Sequence, residues 1–494
     1  MKKPIWPLAA LLGVSLPAAA VQADTAVSPQ AAAAQLSEVL SLVSGGWLGT
    51  AEHPVEVARD GDAFSIRVPL PALAEPPRAA MTARAQPLAN GVWDLTSAAV
   101  PSQGVFTMAS PPGAAAGQIA YTIGQQNISA RVDPMLSRPS PFHVELRDLA
   151  LWSKTGDQTS EQTIARNTLD GVLSGDSEHR ITIRSQTTAS DWRISTRDRN
   201  GVVRDSLIHS AAGSLELEGV DRGKADRLRL ALQALFGTLQ PAGSGATKAN
   251  DLTPAQRAQI EAILDGMAGA LNRIAVEQTV EGLTIGGPDD VAGEIRRMRV
   301  GLAGESRNDH LSGSIDLTLH DLKVAAVPAD FASYLPTLLQ LRPVVSGIRT
   351  TALLRFLHHA AAGAAPDALT AEAMTLLNEP GARLGIENLS VTAGPLRLEG
   401  SGRMLPPSGG LPGLEAHILA RGVDATIASA QGNPEIQKIM PLIFLAKGMA
   451  RPQGDALIWD VAFIGGTVTV NGTPLNQPGP SRPSQPQQPK RPHP

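Results

Sequence analysis

The sequence predicts a β-rich α+β fold, in which a long, curved antiparallel sheet (a meander) is covered in part by helical insertions. Apolar and polar residues alternate with period two over much of the stretch from Pro54 to Val220 and again from Ile274 to Lys323. Such alternation indicates strands with one buried and one solvated face, as in antiparallel sheets. Only a few stretches have the period of an amphipathic helix.

Composition narrows the class of protein further. Of 494 residues, 43% are hydrophobic and 18% charged, which excludes a disordered chain. Aromatic residues make up only 3%, so Ala, Val, Leu and Ile must fill the interior. A net charge of -4 and the lack of a dense Lys/Arg block disfavour nucleic-acid binding. With no cysteine, disulfides and thiolate chemistry are ruled out.

The N-terminus has the pattern of a secretory signal peptide over residues 1–23. A short basic start precedes an apolar run from Leu8 to Val21, and Val21-Gln22-Ala23 places small residues before a cleavage site after Ala23. The run is shorter than the roughly 20 residues of a membrane span. We therefore expect a periplasmic protein; the alternative is an uncleaved N-terminal anchor.

Residues 24–220 form the predicted N-terminal β-rich region. A first helix spans Ala31 to Leu42, and strands follow from Pro54 onward. Turn chemistry separates the strands at Gly124–Asn127, Gly175-Asp176 and Asn200-Gly201. Residues 221–273 form a predicted helical hairpin insert. Its first helix spans Lys224 to Gln240, and its second begins at the cap Thr253-Pro254 and carries apolar residues as far as Leu271.

Residues 274–475 form the predicted C-terminal β-rich region with helices. After the strands that end at Lys323, Asp330 to Ala362 is predicted to be helical but broken at Pro336 and Pro343, and Asp367 to Asn378 is a short helix. Strand, helix and hairpin then follow in close order at Leu389–Ala393, Asn433–Lys447 (closed by Gly448), and Trp459–Phe463 with a turn at Gly465-Gly466. Residues 476–494, rich in Pro, Gln and Ser, form a predicted disordered tail.

Candidate sites are few, and each has a structural interpretation. Gly243–Ala246 is glycine-rich but lies between predicted helices, which favours a linker over a phosphate loop. His358 and His359 could bind a metal, but on a helix they point about 100° apart and no carboxylate lies at i+4 spacing, which favours a helix surface. Asp289-Asp290 could be paired catalytic carboxylates, but after Gly286-Gly287-Pro288 these residue types favour a turn between strands. His310 and His320 lie opposite the Ile315/Leu317/Leu319 face and should be solvated. We therefore predict a protein that is not an enzyme, with no catalytic, cofactor or metal site.

The stretches "IENLSVTAGPLRLEGSGRM" (residues 386–404) and "GDALIWDVAFIGGTVTVNGTPL" (residues 454–475) resemble the C-terminal pattern of YdgA-like bacterial envelope proteins of unknown function. They are similar, more loosely, to the repetitive strands of AsmA-like proteins. The resemblance covers about the last ninety residues before the tail, from Leu384 to Leu475. It implies a long, curved sheet in the envelope and transfers no site residues.

Three functions are compatible with these patterns. One-sided apolar strands with too few helices to cover them predict a non-enzymatic periplasmic module that binds or handles lipid. The alternatives are a scaffold acting through protein contacts at an open sheet edge, and a hydrolase with an unrecognised site. The expected partners are an apolar or lipid ligand or an envelope protein, with peripheral membrane contact and no nucleic acid.

Overall fold

A computed structural model describes residues 28–475 of the chain, except 44–47, 50, 71–72, 77, 89–90, 109–116, 134–137, 176–179, 199–200, 222, 225–252, 268, 288–289, 409–410, 431–436 and 439. Within these residues the protein is strand-rich, and its strands join one long, open antiparallel sheet of 22 strands. Most neighbours in the sheet are also neighbours in sequence, as predicted for a meander.

The first strands are short and pack around one helix. Helix α1 (Pro29–Val43) lies beside β1 (Glu56–Asp60), β2 (Ala63–Pro69), β4 (Ala80–Pro87) and β5 (Trp93–Ala99). Strands β3 (Leu73–Glu75) and β6 (Gln103–Met108) form a branch, in which β5 and β6 pair with different halves of the next strand. We call the apolar cluster between α1 and this sheet the capped core; its buried residues include Leu36, Ile66, Val68, Trp93 and Val132. It confirms the predicted first helix.

The strands that follow are much longer. They are β7 (Gly117–Asp133), β8 (Arg138–Thr155), β9 (Gln158–Gly175), β10 (Arg180–Arg197), β11 (Val203–Asp221), β12 (Arg273–Gly287), β13 (Asp290–Arg307) and β14 (His310–Val324). Strand β11 pairs directly with β12, so the sheet continues across the predicted insert. The turn predicted at Gly124–Asn127 is wrong, because these residues lie inside β7 and pair with β8.

The later strands complete the sheet. They are β15 (Leu338–Arg349), β16 (Arg383–Ala393), β17 (Leu396–Ser408), β18 (Leu411–Arg421), β19 (Arg451–Gln453), β20 (Ala456–Ile464), β21 (Thr467–Val470) and β22 (Thr473–Pro474). Strand β18 pairs with β20, and the free side of β20 is shared by β19 and β21. The predicted strands Leu389–Ala393 and Trp459–Phe463, and the turn after Ile464, are confirmed.

The remaining described helices lie between strands along the chain. They are α2 (Pro254–Met267), α3 (Ala329–Ala332), α4 (Thr350–Ala361), α5 (Pro366–Leu377), α6 (Val423–Ala430) and α7 (Met440–Met449). Helix α2 begins as predicted: Gln256 N–H donates to Thr253 Oγ1 over 3.3 Å, and Thr253 N–H donates to Gln256 Oε1 over 2.9 Å. The helix predicted from Lys224 to Gln240 lies almost entirely outside the described residues.

Two predictions in the second half need correction. The stretch Asp330 to Ala362 is not one broken helix, because β15 occupies its middle. Tertiary pairing prevails over local propensity here, since both edges of β15 find partners, and Pro343 is accommodated at a register shift against β16. In the last unit, α6 was not predicted, and α7 continues through Gly448 to Met449. The predicted opening of that helix at Asn433 lies outside the described residues.

One row of residues crosses eight neighbouring strands, and at each of them the inward–outward alternation of side chains changes phase. In β8, Val144 and Leu146 precede this row and Leu149 and Leu151 follow it, yet all four pack in one apolar cluster. We call the row the phase line; the strand registers align its members as Gly124, Asp148, Ala165, Asp191, His209, Gly282, Arg296 and Asp321.

In every second strand that the phase line crosses, the residue on the line has a left-handed backbone conformation. This conformation accounts for the change in side-chain alternation. Asp148, Asp191, Gly282 and Asp321 have φ values of 51°, 47°, 62° and 50°. Asp and Gly are among the residues that tolerate this conformation. Because the phase changes in all eight strands together, apolar residues on both sides of the line remain on one face of the sheet.

Candidate ligand-binding face

The strand registers assemble aliphatic side chains into continuous rows on one face of the sheet, which we call the apolar face. Residues paired across neighbouring strands lie on the same side of a sheet. One row is Val280, Met298, Leu319, Leu339, Val391 and Leu398; a second is Val300, Leu317, Leu341, Leu389, Gly400, Ile418 and Trp459; a third includes Leu215, Val276, Leu302 and Ile315. None of these positions carries a charged side chain.

The centre of the apolar face is open to solvent. Leu302 and Ile315, which pair directly between β13 and β14, are 43% and 47% exposed, and Val300 beside them is 36% exposed. Farther along, Ile386 and Leu414 are 38% and 45% exposed. Scattered exposed aliphatic residues are ordinary, but a connected set on one face marks a surface that contacts something apolar.

The described helices cover only parts of this face. Helix α1 covers the first strands, and α4 and α5 pack on β15 around Ile348, Ala352 and Leu376. Helix α2 packs against α4. The described helices therefore close the N-terminal end of the face and flank β15, while Leu302 and Ile315 lie between them without a covering element from the described residues.

Two glycines pair with each other at the centre of the apolar face. Gly304 and Gly313 pair directly between β13 and β14, in the row next to Leu302 and Ile315. A Cβ atom added to Gly304 would lie 3.1 Å from Ile274 Cγ2. The Ile274 side chain therefore occupies the space that a side chain at position 304 would need.

The opposite face of the same strands is a lattice of ion pairs. Arg299 on β13 donates two hydrogen bonds to the Glu277 carboxylate on β12, over 2.9 and 2.7 Å. These bonds hold the pKa of Glu277 below its ordinary value of 4.5, although partial desolvation opposes the effect. Similar cross-strand contacts join Arg184–Glu216, Arg403–Glu415, His143–Asp170 and His417–Asp460. Because this face carries the charged side chains, the apolar face is the better surface for an apolar ligand.

The predicted site residues do not converge. His358 Nε2 lies 3.3 Å from Asp265 of α2, whereas His359 Nδ1 lies 2.9 Å from Glu372 of α5, so the two imidazoles contact carboxylates on different helices. Asp290 begins β13, and Asp289 and Gly243–Ala246 lie outside the described residues. His310 is exposed and His320 half-buried. In the part of the chain that the structure describes, no group of three metal-binding side chains occurs.

A polar concavity of about 900 Å³ lies at the strand ends around Arg180, Glu218, Asn272 and Arg273. Its polar groups bond to one another: Arg180 donates to Asn272 Oδ1 over 2.7 Å, and Arg273 to Glu218 over 3.2 Å. Because these contacts already use its charged groups, the apolar face remains the stronger candidate site. Periodicity indicated one-sided strands, but not that the apolar sides align across the nine strands β11 to β18 and β20.

A scan against protein-family models and a search of curated proteins find no match to this chain. The likeness to YdgA-like and AsmA-like proteins therefore stays a prediction. Among the described helices, none has the length and apolar character needed to cross a bilayer.

Proposed function

We propose that this protein is exported to the bacterial cell envelope and binds lipid without catalysing a reaction. The observation that carries the proposal is the connected, uncharged aliphatic face whose central pair, Leu302 and Ile315, stays open to solvent. Burying each methylene of an acyl chain there would contribute about 0.8 kcal/mol. We propose further that the sheet curves around such a ligand, with helices covering part of it.

Export is supported by the signal-like sequence of residues 1–23. In this proposal the chain is cut after Ala23 and acts in the periplasm. Intact mass of the protein from its own envelope tests this step, because the mature chain should begin at Asp24. A mass that retains residues 1–23 would favour an N-terminal anchor.

Lipid binding is tested by native mass spectrometry of the mature protein, followed by lipid extraction. We expect a stoichiometric lipid adduct on the unmodified protein. The double variant Leu302→Asp, Ile315→Asp should lose the adduct at least about tenfold, since two carboxylates would have to be desolvated beneath an acyl chain.

A matched control lies on the opposite face. Val172 and Leu207 are 51% and 37% exposed, and their registers place them among the polar residues, opposite Arg184 and Arg193. The double variant Val172→Asp, Leu207→Asp should keep the adduct. A clean, lipid-free mass for the unmodified protein would contradict the proposal and favour the scaffold alternative.

A further inference from the structure

Helices α2 and α4 are attached to the sheet on opposite sides of its exposed aliphatic pair, yet they meet. Helix α2 precedes β12, whereas α4 follows β15. Strands β13 and β14, which carry Leu302 and Ile315, lie between these two attachment points. The two helices nevertheless pack against each other. Their contact therefore bridges the open strands, and we call the pair of α2 and α4 the strap.

Both attachments of the strap lie on the apolar face. Leu271, which follows α2, packs in a cluster with Leu217 of β11. Helix α4 packs in a cluster that includes Val345 of β15. The strand registers place these positions in one row, made of Leu217, Ile274, Gly304, Gly313 and Val345. Because residues paired across strands lie on the same side of a sheet, the strap spans the apolar face near the β13–β14 turn.

The α4 half of the strap is fixed firmly. Its first turn is capped from the β13–β14 turn, where the Asp309 carboxylate accepts the N–H of Thr351 over 3.0 Å and its hydroxyl over 2.7 Å. Its last turn is tied to α5, because His359 Nδ1 lies 2.9 Å from the carboxylate of Glu372. These contacts hold α4 in place whether or not α2 lies beside it.

The α2 half is attached at one end through a glycine. The backbone N–H of Asp221 donates to the carbonyl of Ala270 over 2.8 Å, which anchors the segment that follows α2. Gly269, directly before this anchor, has a φ of 64°. Hinges are often small residues next to the end of an element, where they absorb changes in φ and ψ. Gly269 is placed to act as one for α2.

Two polar contacts join the halves, and we call them the latch. Arg257 Nη1 on α2 donates to the carbonyl of Ala362, at the end of α4, over 3.2 Å. His358 Nε2 on α4 lies 3.3 Å from Asp265 Oδ1 on α2. The Asp265 side chain is 77% exposed. An ion pair with so much access to water stabilises a contact little.

The latch also leaves one buried group without a partner. Among the described residues, the Nε of Arg257 is buried and makes no hydrogen bond. A buried donor without an acceptor disfavours the state that removes it from water. Moving α2 away from α4 would return this group to solvent. The closed latch thus carries an unfavourable contribution that opening removes.

We propose that the strap opens at the latch, by a swing of α2 about Gly269 away from α4, and that this motion admits lipid to the apolar face from the side of the β13–β14 turn. The motion depends only on the contacts between the two helices. Passage of lipid beneath the open strap rests on the proposed function.

The test closes the latch covalently in the full mature chain. The double variant Asp265→Cys, His358→Cys is joined by a short, reducible bis-methanethiosulfonate linker, which has no other target because the chain contains no cysteine. Uptake of a dansyl-labelled fatty acid should be at least about tenfold slower in the linked protein than after reduction of the linker, since a closed strap blocks entry.

A matched control links α4 to α5 instead. The double variant His359→Cys, Glu372→Cys, joined by the same reagent, leaves the latch unchanged and should take up the fatty acid as fast as the unmodified protein. Intact mass verifies that each linker has reacted at both cysteines. Circular dichroism verifies that both variants fold.

Hydrogen exchange measures the motion without lipid. In the Asp265→Cys, His358→Cys protein, the amides of α2 should exchange at least about tenfold faster after reduction than in the linked form, because local opening limits their exchange. The amides of α5 should exchange equally in both forms.

The two measurements separate the strap from the proposed function. Equal exchange in the linked and reduced forms would overturn the opening of the strap. Equal uptake by the two forms, or an equal slowing in the α4–α5 control, would overturn entry beneath it. An exchange difference in a protein that takes up no fatty acid would support the opening while contradicting the proposed function.

Discussion

The capped core and the open centre of the sheet are both built of antiparallel strands, but they differ in how far their apolar side chains are buried. Around α1, Leu36 and Val68 are fully buried and Trp93 is 1% exposed, with its ring centroid 5.9 Å from that of Phe64 in an edge-to-face arrangement. At the centre, Leu302 and Ile315 are nearly half exposed. A helix completes the core of the first region, whereas no helix among the described residues covers the second. Stability is therefore concentrated at the N-terminal end, while the centre keeps aliphatic surface available.

This difference has a physical basis. Each square ångström of apolar surface removed from water contributes about 25 cal/mol, so a face covered by a helix contributes far more than a bare one. Long strands can remain ordered without a second layer because each is hydrogen-bonded on both edges. Ladder pairing, and not a buried core, holds the centre together.

The largest difference in unfolding free energy is expected when a leucine is replaced by alanine in each of the two regions. Leu36→Ala should cost about 2–5 kcal/mol, because a fully buried leucine leaves a cavity. Leu302→Ala should cost less than about 1 kcal/mol, since its side chain is already 43% exposed. Urea unfolding measures both. Equal losses would mean that something covers Leu302 in the isolated protein, and would break the comparison.

A smaller effect is expected at the phase line, which crosses the open sheet. Gly282 has φ of 62°, and an added Cβ would lie 2.9 Å from His209 Cβ. Gly282→Ala should therefore cost about 1–2 kcal/mol in unfolding free energy. Gly293→Ala on β13, where the nearest atom would be 3.4 Å away, is the control and should be close to neutral. Equal losses of unfolding free energy in the two variants would show that the backbone at Gly282 can rearrange to accept a side chain.

The smallest effect concerns the polar face. Because Arg299 lowers the pKa of Glu277, the folded state favours the ionised carboxylate. This stabilisation is present above the unfolded pKa, near 4.5, and is lost as pH falls through the lower folded value. The pair is about half exposed, so its contribution should stay below about 1 kcal/mol.

Glu277→Gln should accordingly lower unfolding stability slightly at neutral pH and leave it unchanged below the folded pKa of Glu277. Urea unfolding at neutral and at acidic pH gives the difference. A loss of the same size at both pH values would assign the effect of the variant to packing instead of charge.

Local signals predicted many of the elements. Alternation gave the long strands, Thr253-Pro254 marked the start of α2, and Gly465-Gly466 marked the last hairpin. Gly124 was misinterpreted as part of a turn because a glycine in a strand and a glycine in a turn look alike in sequence. A signal was present nearby, since the apolar positions change from even at Val144 and Leu146 to odd at Leu149 and Leu151.

The stretch around Pro343 is a strand that local sequence signals did not predict. Leu338–Arg349 lies within the stretch Asp330–Ala362, which was predicted as a helix broken at Pro336 and Pro343. Only the two neighbouring strands make it β15, by pairing with both of its edges. Likewise, the candidate ligand-binding face could not be listed residue by residue, because its rows depend on registers between strands far apart in sequence.

The sequence by itself determined that the chain is built of amphipathic strands with few helices, because side-chain periodicity is a local property of the backbone. The tertiary structure decided which strands are left without a covering helix among the described residues, and how a single phase line keeps their apolar residues on one face. It also decided that α7 points its leucines and Phe444 outward. These features arise from pairing and packing between distant segments, and local patterns do not encode which segments meet.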